Sequence, residues 1–179
     1  MTLQLWGRPS SARTQKVMLA LAELNFTYEF IKASATMGPE GSVSRGKTAY
    51  GIVDTTEYLE KNPNGTIPTI NDEGFILWES NAIVQYLGMK YNPKLFYDAN
   101  IETFASASRW MMWENNQLIP PMHDLAKHLY RLPENQRDEN VVRTSKEKLF
   151  LEFQKVEVQL SKTRFISGDQ WCMGDIPMT

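Results

Sequence analysis

The stretch NPNGTIPTINDEGFILWESNAIVQYL, residues 62–87, carries the densest set of structural signals in the chain. Residues 62–65 form a strong turn signal of asparagine, proline and glycine. Apolar residues at 67–70 predict a short strand, and proline at position 68 is tolerated because a missing backbone donor is harmless at the front of a strand. Residues 71–78 predict a tight turn and a returning strand. The stretch therefore predicts a β-hairpin.

A helix follows the hairpin directly. Ser80 is a good N-cap residue, and Ile83, Val84 and Leu87 supply one apolar side. The N-terminus of a helix presents unpaired N–H groups and the positive pole of the helix dipole, and both favour a bound anion such as a carboxylate. Taken alone, Ser80 is an ordinary cap and Glu79 is an ordinary solvated carboxylate.

Beside this helix start, Ile67 and Pro68 offer a second binding element. The N–H and C=O of Ile67 can stay unpaired and point outward, most easily if the bond to Pro68 is cis, a form that costs about 0.5–1 kcal/mol before proline. An extended peptide can then pair with that backbone as an added strand. Together the two elements predict a site that clamps a small acidic peptide.

This segment closely resembles the glutathione-binding half of the cytosolic glutathione transferases. The family pattern is an asparagine-proline turn, a cis-proline strand, a hairpin, and Glu-Ser at a helix start. Here it reads NPNGTIP at residues 62–68 and ESNAI at residues 79–83. The resemblance covers nearly all of the chain, and the segments RWMMWENNQLIPPM and LPENQRD are similar to a bacterial branch of the family.

The resemblance implies a role for four residues of this stretch. The Ile67 backbone, with Pro68 setting its geometry, is expected to pair with the cysteinyl part of glutathione. Glu79 and Ser80 are expected to hold the γ-glutamyl end of the same molecule.

Residues 34–51 form a Gly/Ser-rich stretch without periodicity. The loop is longer, by about a dozen residues, than in similar bacterial sequences, a size that suits a mobile functional loop or a disordered one. In the family this region helps to hold the glycine carboxylate of glutathione. Arg45 and Lys47 are the available charges, and we assign neither as a ligand.

The start of the chain predicts a strand, a helix and a strand. Residues 2–6 alternate as a strand, a helix follows to about Leu24, and residues 28–31 form the second strand. This order suggests a parallel pair joined by a right-handed crossover. With the later hairpin and helix, it completes the βαβ–ββα arrangement of a thioredoxin-like domain.

The loop between the first strand and the first helix holds the candidate catalytic residues. The helix begins near Ser11 or Ala12, so Ser10 and Ser11 lie close to its positive end. In the serine-type transferases (theta-, phi- and delta-like) a serine in this loop contacts the glutathione sulfur; Ser11 matches that position best, and Ser10 is the alternative. Taken alone, either serine is a helix cap. Because capping and catalysis compete for the hydroxyl, we expect at most one of the pair to be catalytic.

A hydroxyl at this position meets the demand of the chemistry. A thiol with a pKa of about 8.5 is mostly protonated at neutral pH, whereas the thiolate is the nucleophile. Lowering the thiol pKa by about two units requires roughly 2.7 kcal/mol. A charge-assisted hydrogen bond supplies about 1.5–3 kcal/mol, so one hydroxyl and a helix dipole are sufficient.

The chain changes character after residue 92. We predict two domains, residues 1–92 and 93–179: an α/β, thioredoxin-like glutathione-binding domain and an all-α domain of the transferase type. Residues 101–131 predict a helical segment broken or kinked at the prolines 120 and 121. In the family, the first helix of this domain lines the pocket for the electrophile.

Residues 139–162 predict a second long helix. Its apolar residues fit an amphipathic stripe, and they are Val142, Leu149, Phe153, Val156 and Leu160.

The last residues depart from the family pattern. The family has a Ser/Thr-x-x-Asp capping box here, which opens a central buried helix. Asp175 matches it, whereas Cys172 replaces the hydroxyl residue and is a poor cap. Full-length members continue beyond the position of Thr179. We therefore expect a truncated, incomplete second domain whose apolar helix faces are uncovered.

Composition excludes several classes of partner. With 42% hydrophobic and 22% charged residues the chain is typical of soluble globular proteins, and its net charge of −2 argues against nucleic acid or anionic membrane as the main partner. It has no signal-peptide pattern and no run of 18 apolar residues. A lone cysteine suits the reducing cytoplasm, and His123 and His128 offer no metal-ligand set.

These observations predict a glutathione S-transferase that conjugates the glutathione thiolate to a small hydrophobic electrophile, with glutathione as co-substrate and without a metal. The resemblance also implies a homodimer. One alternative is a non-catalytic glutathione-binding or interaction module, because fold alone does not determine function. The other is a glutathione-dependent thiol–disulfide reductase, a chemistry that usually needs a cysteine where the first helix of this chain has serine.

Overall fold

A computed structural model describes residues 2–34 and 52–178. These residues form two compact units, and the chain passes from the first to the second between Asn92 and Pro93.

The first unit contains a four-stranded mixed sheet and three helices. Its elements are β1 (Leu3–Gly7), α1 (Ala12–Glu23), β2 (Tyr28–Lys32), α2 (Thr56–Lys61), β3 (Thr69–Asp72), β4 (Phe75–Trp78) and α3 (Ser80–Tyr91). The strand order is β2-β1-β3-β4; β1 and β2 are parallel, and the other two pairs are antiparallel. The predicted βαβ–ββα order and the parallel first pair are confirmed.

The packing of α1 on the sheet follows from its apolar spacing. Val17 and Leu21 lie one turn apart on the same helical face, and both are buried. The first turn of α1 lies against the end of β1, and this close approach requires glycine at position 7. A Cβ there would lie 2.4 Å from the methyl carbon of Thr14. The absence of a side chain at Gly7 therefore allows the first turn of α1 to lie close to the end of β1.

Helix α3 buries the side that the sequence predicts. Ile83, Val84 and Leu87 are all fully buried, which confirms the predicted apolar face. Hydrogen bonds also join this helix to the hairpin strand β3. Asp72 at the end of β3 accepts from three side chains of α3, which are Tyr86, Lys90 and Tyr91.

In its described residues the second unit is mainly helical, and residues 161–175 form turns and an isolated bridge between Phe165 and Gly168. It comprises α4 (Pro93–Tyr97), α5 (Ile101–Trp113), a π-helical turn (Glu114–Leu118), α6 (Ile119–Ala126), a second π-helical turn (Lys127–Arg131), a short 3₁₀ turn (Glu134–Gln136), α7 (Glu139–Leu160) and a last 3₁₀ turn (Ile176–Met178). The all-helical class predicted for this half of the chain is confirmed.

The helical irregularity that the sequence predicts at Pro120 and Pro121 lies before these two residues. The two prolines lie in the first turn of α6, and the irregularity precedes them as the π-helical turn Glu114–Leu118. A proline ring clashes with the carbonyl of the residue four positions earlier. A wider turn just before the prolines relieves that clash without ending the helix, so the chain continues from α5 to α6.

The predicted stripe on α7 is only partly buried. Leu149 is buried and Val142 and Val156 are half-buried, whereas the Phe153 side chain is 48% exposed and Leu160 is also exposed. Helical spacing identifies the residues that share a face, but the packing of the neighbouring elements determines how much of that face is covered.

Asp175 retains one half of the expected capping box. Its carboxylate accepts hydrogen bonds from the backbone N–H of Cys172 at 2.9 Å and of Ile166 at 2.8 Å. The acidic residue therefore reaches back to the N–H at the cap position, as a capping box requires. Cysteine at position 172 leaves the reciprocal hydroxyl contact unmade.

Candidate functional site

The asparagine-proline turn is organised by its own side chain. Asn62 accepts a hydrogen bond from the Asn64 N–H at 3.1 Å through Oδ1, and it donates from Nδ2 to the Thr66 carbonyl at 2.9 Å. Gly65 has φ +58° and lies against the Val53 carbonyl, so a larger residue is disfavoured there on both counts. The motif residues therefore shape the turn that leads into β3.

The Ile67–Pro68 peptide bond at the end of this turn is cis, as the sequence predicts. The pairing of β3 with β1 begins only at Thr69, opposite Trp6, so Ile67 precedes the ladder. The Ile67 side chain packs against a buried cluster that includes Trp6 and Val53. The backbone of Ile67 is thus anchored on one side and lies outside the sheet's own hydrogen bonding.

The start of α3 differs from the prediction. The residue at the N-cap position is Glu79 instead of Ser80, and its side chain makes no capping hydrogen bond. Ser80 is the first helical residue and is only 5% exposed. The expectation of Ser80 as the cap is wrong because the chain bends one residue earlier than its composition suggests.

Glu79 has an unusual backbone conformation that sequence reasoning missed. Its φ of 72° and ψ of 112° lie outside the common regions for residues with a Cβ. Such a conformation costs about 1–3 kcal/mol, and residues of this kind cluster at ligand-binding sites. A Glu-Ser pair directly after a strand is the only signal in the sequence that points to it.

The two candidate serines before α1 occupy different environments. Ser11 is the N-cap residue and half-buried, and its Oγ accepts a long hydrogen bond of 3.4 Å from the Thr14 N–H. Ser10 is exposed. An oxygen that accepts from a backbone N–H can still donate its own proton to another group. Capping and donation to a sulfur are therefore compatible at Ser11, and the expected competition between them does not apply.

The strand register brings these three segments to one edge of the sheet. Thr69 at the start of β3 pairs with Trp6 near the end of β1 and with Trp78 at the end of β4. The loop that carries Ser10 and Ser11 follows β1, and Glu79 and Ser80 follow β4 directly. The N-termini of α1 and α3 therefore both lie at the edge where Ile67 and Pro68 enter the sheet.

This edge is favourable for anions. Both helices begin there, so both present N–H groups without intrahelical acceptors and the positive ends of their dipoles. The two helices also contact each other through the buried Lys16, whose Nζ donates to Asn81 Oδ1 at 3.3 Å. The arrangement suits an extended acidic molecule that bears one anionic group for each helix.

Two other features of the described residues belong to the second unit. Cys172 belongs to the second unit and is 2% exposed, and burial raises the pKa of its thiol. A cleft of about 660 Å³ also belongs to the second unit, between the turn Lys127–Arg131 and the start of α7, and the predicted site residues do not line it. Residues 35–51, which include Arg45 and Lys47, lie outside the described residues.

The described part of the chain offers neither a cluster of metal ligands nor a membrane-spanning helix. Within residues 2–34 and 52–178, no three His, Cys, Asp or Glu side chains are grouped as metal ligands. The helices that the structure describes are all too short or too polar to cross a bilayer.

Comparison with known proteins gives a consistent result. Residues 5–95 match the family model of the glutathione S-transferase N-terminal domain. The chain is 35% identical over 176 residues to glutathione S-transferase GstB of Escherichia coli, covering 97% of this chain and 78% of that protein.

Solved structures agree. The theta class glutathione S-transferase of Xanthomonas axonopodis pv. citri with glutathione bound is 31% identical, with a TM-score of 0.85 over 99% of this chain and 80% of that one. Glutathione S-transferase I of maize, in complex with an atrazine glutathione conjugate, is 25% identical, with a TM-score of 0.80 over 99% and 78% of the two chains. The predicted family, fold class and enzyme class are confirmed, and the chain belongs to the glutathione S-transferase family.

Proposed function

We propose that this chain conjugates glutathione to small hydrophobic electrophiles. The sulfur of glutathione, as thiolate, forms a bond to an electrophilic carbon of the second substrate, and the leaving group departs with the electron pair of the broken bond. The thiol proton is released to solvent when the thiolate forms. Glutathione is the co-substrate.

The observation that carries this proposal is the convergence at one sheet edge. The start of β3, opposite the ends of β1 and β4, brings together an unpaired strand entry and two helix N-termini. A tripeptide with a thiol and two carboxylates has the chemistry to match: a backbone for strand pairing and anionic groups for the helix ends.

Each predicted site residue has a role in this proposal. Ser11, or Ser10 as the alternative, donates its hydroxyl proton to the sulfur and favours the thiolate together with the dipole of α1. The Ile67 backbone, with Pro68 setting its direction, pairs with the cysteinyl part. Glu79 and Ser80 hold the γ-glutamyl end at the start of α3.

Catalysis in this scheme comes from thiolate formation and from positioning. A hydrogen bond to the charged sulfur is worth about 1.5–3 kcal/mol, enough to bring most of the thiol into its reactive form near neutral pH. The strand entry and the start of α3 hold the rest of the molecule, so the sulfur is presented in a defined direction.

The test is turnover by Ser11→Ala with glutathione and an activated chloronitrobenzene, from which chloride leaves. We expect kcat/KM to fall by roughly 10- to 100-fold at pH 7, because the lost hydrogen bond is worth about 1.5–3 kcal/mol. Ser10→Ala is the matched control and should retain wild-type activity. Wild-type turnover by a folded Ser11→Ala protein would remove Ser11 from its role, and a reversed result for the two variants would assign the role to Ser10.

Binding and turnover by the wild-type protein separate an enzyme from a non-catalytic glutathione-binding module. Wild-type protein that binds immobilised glutathione but turns over none of a panel of electrophiles would contradict conjugation and support binding alone. The reductase alternative is disfavoured by the burial of Cys172, since a buried thiol of raised pKa is a poor nucleophile.

We also propose that the two compact units correspond to two domains, residues 1–92 and 93–179. We propose that the protein is a cytoplasmic homodimer, as its resemblance to the family implies. Sedimentation of the purified protein at micromolar concentration tests the dimer, and a mass equal to one chain of 20.6 kDa would contradict it.

A further inference from the structure

The turn before β3 is held by a buried tyrosine hydroxyl that the proposed mechanism does not use. Tyr58 on α2 is 2% exposed, and its hydroxyl donates to the Thr66 carbonyl at 2.6 Å. The same oxygen lies 2.9 Å from Thr69 Oγ1, which also accepts from Asn62 Nδ2 at 3.0 Å. Since the tyrosine has one proton and donates it to Thr66, the Thr69 hydroxyl donates to Tyr58, and every polar atom of the group is satisfied.

These contacts lie on both sides of Ile67 and Pro68. Thr66 precedes that pair and Thr69 follows it, so Tyr58 holds the chain immediately before and immediately after the cis bond. Tyr58 also belongs to the apolar cluster against which the Ile67 side chain packs. One side chain thus restrains the entry, the exit and the side chain of the segment.

The hydroxyl stays protonated under all assay conditions. Burial raises the pKa of Tyr58 to about 12, despite the opposing hydrogen bonds from Thr69 and Asn62. Its hydrogen bonds therefore do not change with pH between about 5 and 10. Any effect of removing it should leave the pH dependence of turnover unchanged.

We propose that Tyr58 is a positioning residue for glutathione, which fixes the direction of the Ile67 N–H and C=O so that they can pair with the bound tripeptide. The inference rests on the proposed function. Strand pairing needs a donor and an acceptor at a set spacing and direction, and a backbone already held in that geometry binds with a smaller loss of conformational entropy.

The test is Tyr58→Phe, which removes the hydroxyl and keeps the ring in its apolar cluster. One lost hydrogen bond corresponds to an effect of roughly threefold to tenfold on an equilibrium. We expect the Kd for glutathione, measured by calorimetry, and the KM for glutathione to rise by that factor. The kcat at saturating glutathione should fall by less than twofold, and the pH profile of kcat should not move.

Tyr91→Phe is the matched control. Tyr91 also lies in the first unit, and its hydroxyl donates to the buried Asp72 at 2.8 Å, away from the turn. Its removal should lower the midpoint of thermal unfolding as much as Tyr58→Phe does, with an unchanged Kd for glutathione. Tyr58→Phe with wild-type Kd and a lowered unfolding midpoint would overturn the inference, because the hydroxyl would then serve stability alone.

Thr69→Val provides an independent variant if Tyr58→Phe does not fold. It breaks the contact with Tyr58 from the strand side, and it should raise the Kd for glutathione by a similar factor; an unchanged Kd would overturn the inference. In a double variant the two effects should be less than additive, since both remove the contact between Tyr58 and Thr69. Absence of any glutathione binding by the wild-type protein would instead contradict the proposed function itself.

Discussion

The two helix starts at the candidate site are built in opposite ways. Before α1, Ser11 has an extended backbone with φ −88° and ψ 118°, and its side chain accepts a hydrogen bond from the helix. Before α3, Glu79 has φ 72° and ψ 112°, and its side chain makes no capping bond. The first start satisfies the local rules for a helix N-terminus, and the second breaks two of them.

This difference separates a helix start that is stabilised locally from one that carries backbone strain. Ser11 stabilises α1 whether or not a ligand is present. Glu79 costs about 1–3 kcal/mol of backbone strain, which the surrounding hairpin must support. A local conflict of this kind is expected where function, and not stability, determines the conformation. The strain at the start of α3 therefore supports the binding role that we propose for Glu79 and Ser80, whereas the start of α1 is stable by local rules alone.

The largest expected effect comes from Ser11→Asp, which separates capping from catalysis. Aspartate is a good N-cap, and its negative charge interacts favourably with the positive end of the helix dipole. The midpoint of thermal unfolding should therefore be retained or raised. A carboxylate beside the sulfur should raise the thiol pKa and lower kcat/KM by more than about 100-fold at pH 7. Steady-state kinetics and thermal unfolding measure the two effects. A fully active Ser11→Asp enzyme would mean that only the cap matters there.

Ser80→Ala should weaken glutathione binding by roughly tenfold, because it removes one hydrogen bond to a charged group. The free energy of unfolding should change little, since Ser80 is not the cap of α3. Calorimetric titration and denaturant unfolding check both statements.

Asn100→Ala is the control for this variant. Asn100 is the true cap of α5 and accepts from the Glu102 N–H at 2.7 Å. Its loss should cost about 1 kcal/mol of stability and leave glutathione affinity unchanged. If Ser80→Ala lowered stability and left glutathione affinity unchanged, as expected for Asn100→Ala, the contrast between the starts of α1 and α3 would be wrong.

A pair of variants at Glu79 measures the strain directly. Glu79→Ala and Glu79→Gly both remove the carboxylate, but only glycine adopts a positive φ without strain. We expect the glycine variant to be more stable than the alanine variant by about 1 kcal/mol, which is what remains of roughly 1–3 kcal/mol of strain after the entropy cost of glycine, about 0.5–1 kcal/mol. Denaturant unfolding measures the difference, and a glycine variant less stable than the alanine variant by about 0.5–1 kcal/mol would show that the backbone is unstrained.

The smallest effect on binding is expected from Asp72→Asn, at the far end of α3. Burial acts to raise the pKa of Asp72, but hydrogen bonds from Lys90, Tyr86 and Tyr91 and the charge of Lys90 outweigh it and hold the pKa below its ordinary value. A depressed pKa gives stability that is present above the unfolded pKa of about 3.9 and lost as the pH falls through the lower folded value.

The wild-type protein should therefore lose this contribution below about pH 4, whereas Asp72→Asn should lack it at every pH. Unfolding midpoints measured from pH 3 to pH 7 check this, with the gap between the two proteins closing at the acid end. The Kd for glutathione at pH 7 should be unchanged in Asp72→Asn. A large change in that Kd would mean that the two ends of α3 are coupled.

Local sequence signals predicted much of the fold. The order of elements in the first unit, the cis bond at Pro68 and the buried face of α3 all follow from turn residues and apolar spacing. The sequence predicts a helical break at Pro120 and Pro121, whereas the irregularity lies before them, because a π-helical turn accommodates the prolines. The sequence identifies Phe153 as part of the apolar stripe of α7 but does not determine its burial, because spacing on a helix does not show what lies opposite it.

By itself, the sequence determined the family, the kinds of residue at the candidate site and the helix and strand that carry each of them. These depend on neighbours within a few positions, and local patterns report them. Only the tertiary structure decided that Ser11, Ile67 and Glu79 follow or precede strands that end at the same edge, and that Tyr58 supports the turn between them. Those relations arise from strand register and from contacts between residues that are distant in sequence. Such contacts form only in the folded chain, so local sequence patterns do not report them.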